Sequence, residues 1–295
     1  MTLPKNVAVV GGGRMGAGIA LTFAVNGSFA TVIERDDRAA ADARARLEDI
    51  AGKAVAKDPA APALDVLLSR LTVSVDYGLL AEAELTIEAV PENFELKVAT
   101  LRAIEERVAA NAFIATNTSS LSVTKLADEL ERPAHFIGLH FFNPVPASTL
   151  IEVVVGKETN DALVDAARSW TEGLRKTPVV VRDVPGFASS RLGVALALEA
   201  MRMLEEDVAS AEDIDAAMVL GYRHATGPLQ TTDLVGLDVR LGIAEYLAST
   251  LGDRFEPPQL LRDKVAAGEL GRKSGKGFFD YRRIQQEPVP DHTRS

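Results

Sequence analysis

The chain has 295 residues, 47% hydrophobic and 25% charged, a globular composition with room for two domains that excludes the disordered and collagen-like classes. With 32 Lys and Arg against 42 Asp and Glu, its formal net charge is -10, so the basic footprint of a nucleic-acid-binding surface is absent. Cysteine is missing, which removes disulfides, thiolate metal ligands and a cysteine nucleophile together; no metal is expected.

The first apolar run, Val7–Val10, stops at three glycines. It is too short for a secretory h-region and reads as a strand. No stretch approaches the ~20 apolar residues of a membrane span, so a cytoplasmic protein without membrane partners is expected, and the sequon-like Asn117-Thr118-Ser119 is a chance match. Gly11, Gly13 and Gly16 then form G-x-G-x-x-G between this strand and a helix through Ile19 and Phe23. Such a loop combines a tight turn, close backbone approach to a pyrophosphate, and a helix N-terminus aimed at the phosphates. The next strand, Ala30–Ile33, ends at Glu34, 18 residues past Gly16. A carboxylate there accepts hydrogen bonds from an adenosine ribose and repels a 2′-phosphate, which favours NAD over NADP. Arg35, next to it, is the side chain that would greet a 2′-phosphate.

An Ala/Arg/Asp-rich segment from Arg38 to Ser69 reads as helical, broken near Asp58-Pro59. Thr86–Val90 is the next strand. Phe94, Val98, Leu101, Ile104 and Val108 follow on one helical face. Phe113–Thr116, Phe136–Leu139, Ile151–Val155 and Val179–Val181 are further strands. A helix carrying Leu163, Ala167, Trp170 and Leu174 separates the last two, with Trp170 expected in the core. Alternation of this kind predicts βαβ units and a parallel sheet.

After Asp183-Val184-Pro185-Gly186 the pattern is helical almost throughout. The predicted architecture is therefore α/β: a mostly parallel sheet domain over 1–184, then an all-α domain over 185–295. The helix from Arg191 to Leu204 is apolar nearly all round, as a helix buried inside the domain or against a second subunit would be. Ser210-Ala211-Glu212-Asp213 resembles a capping box, opening a helix to Leu220 with Gly221 as C-cap. Leu234, Leu237, Leu241, Ala244, Ala248 and Leu251 form one further stripe, and Gln285–Ser295 reads as a polar tail.

His140 ends a strand, at the carboxyl edge where open α/β sheets bind ligands. Pro144 and Pro146 turn the chain back, and Glu152 follows twelve residues after His140 on the return strand. An imidazole paired with a carboxylate is what oxidation of an alcohol requires, the one taking the hydroxyl proton and the other fixing its tautomer. A strand-end histidine with an unrelated glutamate is the alternative from local sequence.

The segment Gly138-Leu139-His140-Phe141-Phe142-Asn143-Pro144-Val145-Pro146, with Glu152-Val153-Val154, resembles the signature of the 3-hydroxyacyl-CoA dehydrogenase family. Gly11–Gly18 with Met15, Glu88–Asn93, Asn117–Leu121, Pro185-Gly186-Phe187 and Gly271–Phe278 agree with it in order and spacing. The resemblance implies a Rossmann-type NAD-binding domain and oxidation of an acyl-CoA substrate, with His140 as general base and Glu152 orienting it. It further implies that Ser119 hydrogen-bonds the substrate, that Asn143 holds nicotinamide and substrate together, and that Glu92 and Lys97 contact the nicotinamide-side ribose. Lys264 would reach the cofactor from the helical domain. Lys57 corresponds either to a lysine meeting the CoA phosphates or to an exposed helix lysine. A homodimer through the helical domain is also implied. Two departures bear on the acyl group. Ser190 stands before Arg191-Leu192 where the family commonly has asparagine, and Ala225-Thr226 stand where the pattern shows Pro and Met. Two other readings stay open: the same dyad acting on a non-CoA alcohol such as a sugar acid or carnitine, and an NAD(H)-binding protein without turnover.

Overall fold

In a computed structural model of the chain, residues 2–58 and 60–282 are described, and two compact units divide between Phe187 and Ala188. The first contains β1 (Asn6–Val10), α1 (Arg14–Val25), β2 (Phe29–Ile33), α2 (Asp37–Lys57), α3 (Leu64–Ser69), β3 (Leu71–Ser74) and β4 (Leu85–Glu88). It continues through α4 (Phe94–Glu105), β5 (Phe113–Thr116), α5 (Val123–Ala127), β6 (Phe136–Phe141), β7 (Leu150–Val155), α6 (Asp161–Gly173) and β8 (Thr177–Arg182). The strands form one sheet in the order β3-β2-β1-β4-β5-β6-β7-β8. Neighbours are parallel except β6 and β7.

Alternate side chains of β1 enter two separate cores, as the two-residue period of a strand requires. Val7 and Val9 join α1, α2 and α6 on one face, and Ala8 and Val10 join α4 and α5 on the other. Burial on both faces explains why β1 reads as a continuous apolar run over Val7–Val10. The chain runs outward from β1 to β3 and then returns to β4 on β1's other side. That switch opens a crevice at the carboxyl ends of β1 and β4. β3 was not evident from the sequence: its four residues are only partly buried at the sheet edge, so they carry little apolar signal. Trp170 lies in the core as expected.

The second unit contains α7 (Ser189–Glu205), α8 (Ala211–Tyr222), α9 (Pro228–Val235), α10 (Leu237–Leu251) and α11 (Gln259–Ala266). Val194, Leu198, Met201, Leu229, Leu247 and Leu261 are among its core residues. α7 buries one face within its own unit, leaving Leu192 71% exposed. Two expectations are corrected here. α8 runs through Gly221 to Tyr222 and ends at Arg223, whose φ of 61° is left-handed, because the chain turns one residue after the helix and not within it. The apolar stripe from Leu234 to Leu251 is two helices, interrupted at Gly236. The polar tail from Gln285 lies outside the described residues. No described helix is long and apolar enough to cross a membrane.

Candidate active site

Register brings the carboxyl ends of five strands to one edge. Ile33, Val10, Glu88, Thr116 and Gly138 are successive partners across β2, β1, β4, β5 and β6. The residues just beyond them are Glu34, the glycine loop, Ala89, Asn117 and, two further on, His140. At the loop, a Cβ on Gly16 would sit 1.8 Å from the Gly11 carbonyl oxygen, so helix and strand approach only because that side chain is missing. A Cβ on Gly13 would meet nothing within 4 Å. Gly13 caps α1, so this open approach leads to free backbone N–H groups at a helix N-terminus, with no acidic side chain in the first turn. Glu34 turns toward the loop and accepts the Gly12 N–H at 2.7 Å, while Arg35 lies exposed against Asp36 at 3.0 Å. These residues fit a dinucleotide whose ribose meets Glu34. Arg46 of α2 donates to the Gly12 carbonyl at 2.8 Å, a support for the loop that the fingerprint does not include.

Glu92 organises the turn after β5. Its Oε1 accepts from the Thr118 hydroxyl at 2.6 Å, the backbone N–H groups of Ser119 and Ser120 at 2.9 and 3.0 Å, and the Ser120 hydroxyl at 3.0 Å. Burial works to raise its pKa. Lys97 and the hydrogen bonds from Thr118, Ser119 and Ser120 outweigh burial and leave it lowered, so Glu92 stays ionised. The Ser119 hydroxyl reaches Glu92 at 3.4 Å, a long contact compatible with a second partner. Ser122 caps α5, accepting from Lys125 N–H at 3.1 Å.

Lys97 is 1% exposed. Its ammonium donates to both Glu88 oxygens, at 2.7 and 3.0 Å, and to the Val90 carbonyl at 3.2 Å, with Glu92 Oε2 at 3.4 Å. Glu88, itself fully buried, also accepts from Thr116 Oγ1 and Val90 N–H. Lys97 therefore acts inside the turn that presents Glu92. Glu88 is the partner that motif matching left without a role, and its signal was a charged residue ending a strand buried on both faces.

β6 and β7 are antiparallel, with His140 directly opposite Glu152. Cross-strand partners share a face, and His140 Nδ1 lies 2.8 Å from Glu152 Oε2, both side chains buried. With Glu152 ionised, Nδ1 carries the proton and Nε2 keeps its lone pair. The imidazole is flanked by Phe142 and Phe187, with ring centroids at 4.3 and 5.9 Å. Phe141 N–H donates to Asn117 Oδ1 at 2.9 Å, tying the end of β6 to that of β5.

The remaining candidates are dispersed. Met15 is half-buried against the core, and Asn143 is exposed ahead of a cis Pro144. Lys57 is an exposed residue at the end of α2, bordering a cavity of about 390 Å³ shared with Thr22, Pro146 and Lys176. Lys176, its pKa lowered by burial, donates to the Val145 carbonyl at 2.7 Å and to the Ser148 carbonyl, fastening the loop after His140. In the helical unit, Ser190 is half-buried in the first turn of α7. Lys264 is engaged within that unit by Glu269 and the Gly277 carbonyl, each at 2.9 Å.

A doubly wound, mostly parallel sheet with a G-x-G-x-x-G loop between β1 and α1 defines a Rossmann-type dinucleotide-binding domain. The 3-hydroxyacyl-CoA dehydrogenase NAD-binding domain matches residues 6–184 and the C-terminal domain of the same family matches 186–281, so the chain belongs to the 3-hydroxyacyl-CoA dehydrogenase family. It is 38% identical over 279 residues to 3-hydroxybutyryl-CoA dehydrogenase of Clostridioides difficile, covering 94% of this chain and 99% of the relative. Against the mitochondrial hydroxyacyl-coenzyme A dehydrogenase of Sus scrofa, identity is 35% over 289 residues, covering 95% and 92%. The crystal structure of (S)-3-hydroxybutyryl-CoA dehydrogenase from Ralstonia eutropha superposes with a TM-score of 0.89 at 38% identity, covering 94% of this chain and 99% of that one.

Proposed function

We propose that this protein oxidises (S)-3-hydroxyacyl-CoA thioesters to 3-oxoacyl-CoA, reversibly, with His140 as the general base. The His140–Glu152 pair at 2.8 Å, at the carboxyl edge of a dinucleotide-binding sheet, carries the assignment. Bound NAD supplies the hydride acceptor for C3 of the substrate. His140 Nε2 takes the proton of the 3-hydroxyl as its C–O bond becomes a carbonyl. Glu152 keeps its charge, holds the Nδ1 tautomer and stabilises the imidazolium that forms. The Ser119 hydroxyl donates to the reacting oxygen from a turn that Glu92 immobilises, and this preorganisation means little is left to order at the moment of reaction. Asn143 helps hold nicotinamide and substrate together, Ser190 is the substrate contact of the helical unit, and Lys57 meets the CoA phosphates. The same reading includes a cytoplasmic homodimer, supported by the exposed Leu192, Leu220 and Tyr222 of the helical unit.

His140→Gln is expected to bind NADH normally while reducing acetoacetyl-CoA about 10²–10⁴-fold more slowly, measured by NADH fluorescence titration and steady-state kinetics. Near-normal turnover would remove His140 as the base. Activity on sugar acids or carnitine but not on acetoacetyl-CoA would overturn the substrate class, and NADH binding without turnover on any of them would identify a non-catalytic protein.

A further inference from the structure

Lys176 is 8% exposed, and its ammonium meets only the carbonyls of Val145 and Ser148. An ammonium has three donors, so one is unspent, and among the described residues no carboxylate pairs with it. Burial is the only influence on its pKa, which it lowers. The other buried lysine, Lys97, is by contrast paired with Glu88. A buried charge without a counter-charge is expensive, and an anion is what completes this one.

The surroundings supply room and further charge. Lys176 borders the cavity of about 390 Å³ beside Lys57, and Arg175 borders it too. The Lys57 and Arg175 side chains are exposed and without partners among the described residues, and Asp58 is the sole carboxylate on the described lining. Lys57 ends α2 and Arg175 follows α6, where a cation complements the helix dipole. That gain is available at the surface and gives no reason to bury Lys176. Leu21, Val25, Ala54 and Pro146 give the same cavity an apolar side against which a flat ring can lie. The cavity and the His140–Glu152 pair belong to one unit. The chain between β6 and β7 lines it, with Pro146 six residues from His140 and so at most about 22 Å away.

We propose that this cavity receives the nucleotide end of the CoA thioester, and that Arg175 is the residue that selects for its 3′-phosphate. A phosphate monoester presents three free oxygens, which suit the planar fork of a guanidinium. The ammonium groups of Lys57 and Lys176 are point charges suited to the diphosphate, and the adenine lies along the apolar side. Because Lys176 also fastens the loop after His140, contacts to the nucleotide hold that loop as well. The assignment rests on the CoA-thioester reading above and adds Arg175 and Lys176 to it.

The test is steady-state reduction of acetoacetyl-CoA, its 3′-dephospho form and acetoacetyl-pantetheine by the full-length protein. Arg175→Gly removes the cation and relieves a φ of 59°, so the variant is expected to fold at least as stably as the parent. It should raise KM for acetoacetyl-CoA about five- to tenfold with kcat little changed, and the rise should disappear on the two truncated substrates. Adenosine 3′,5′-bisphosphate should compete with acetoacetyl-CoA, and Arg175→Gly should weaken that inhibition by the same factor. A KM that Arg175→Gly leaves unmoved, or an equal rise on all three substrates, would overturn the assignment while acetoacetyl-CoA turnover stands. Inhibition that is noncompetitive with acetoacetyl-CoA would give the cavity to a separate phosphate ligand and overturn it too. Failure of the unaltered protein to reduce any of the three thioesters would overturn the CoA reading itself.

Discussion

Lys97 matches a residue that the family resemblance assigns to the cofactor, yet its ammonium is enclosed with Glu88. Pairing two buried charges roughly offsets their desolvation, whereas removing one partner leaves the other uncompensated. Lys97→Met is therefore expected to lower unfolding free energy by about 3–5 kcal/mol, measured by urea denaturation. Adding Glu88→Gln should recover part of that loss, since a neutral amide still accepts from Thr116 and Val90; a double variant no more stable than the single one would contradict the pairing. At this scale, the family resemblance pointed to the His140–Glu152 pair, which local spacing left open, but misplaced the lysine. A twelve-residue return between two strands can be closed by an antiparallel hairpin, and cross-strand neighbours then follow from the register. Nothing in the spacing of Glu88, Glu92 and Lys97 says which carboxylate takes the lysine.

Helices and strands were legible wherever apolar periodicity was strong, as in α4 and β6, and less so at their ends. α8 shows why. Gly221 has the composition of a C-cap, but it lies inside the helix, and the left-handed position falls on Arg223. A Cβ on Gly221 would meet nothing within 4 Å. Gly221→Ala is accordingly expected to raise stability by about 0.5–1 kcal/mol, read from thermal unfolding, whereas a true cap at 221 would make the same change destabilising. The stripe from Leu234 to Leu251 failed for a related reason. Period alone carries a helix straight through Gly236, and only the backbone there, at φ 107°, breaks it.

Over the whole molecule, net charge argues against a nucleic-acid partner but says little about acid stability, which depends on individual pairs. Glu269 is held down to about 2 by hydrogen bonds from Lys276 and Lys264, and Glu92 is lowered as well. A carboxylate depressed in the folded state contributes stability that is complete above its unfolded value and is lost as pH falls through the folded one. For Glu269 that window runs from 4.5 down to about 2. Asp215 and Asp233, raised mainly by burial, act in the opposite sense. Urea unfolding at pH 5, 3.5 and 2.5 should show Glu269→Gln losing stability less steeply than the parent across that window; parallel losses would contradict the assignment.

The amino-acid sequence by itself determined the α/β class, the glycine loop followed by Glu34 and the helical remainder, because each depends on spacing within one or two adjacent elements; the His140–Glu152 pairing stayed open on spacing and was favoured only by the family resemblance. Tertiary structure decided which charges are consumed internally and which are left over. Glu92 is drawn to the turn at 118–120, Lys264 to Glu269 and Gly277, and Arg240 to a place beside Gly193 where, among the described residues, no carboxylate pairs with it. Those outcomes depend on how distant segments pack and what they exclude from water, and desolvation has no local signature in a sequence.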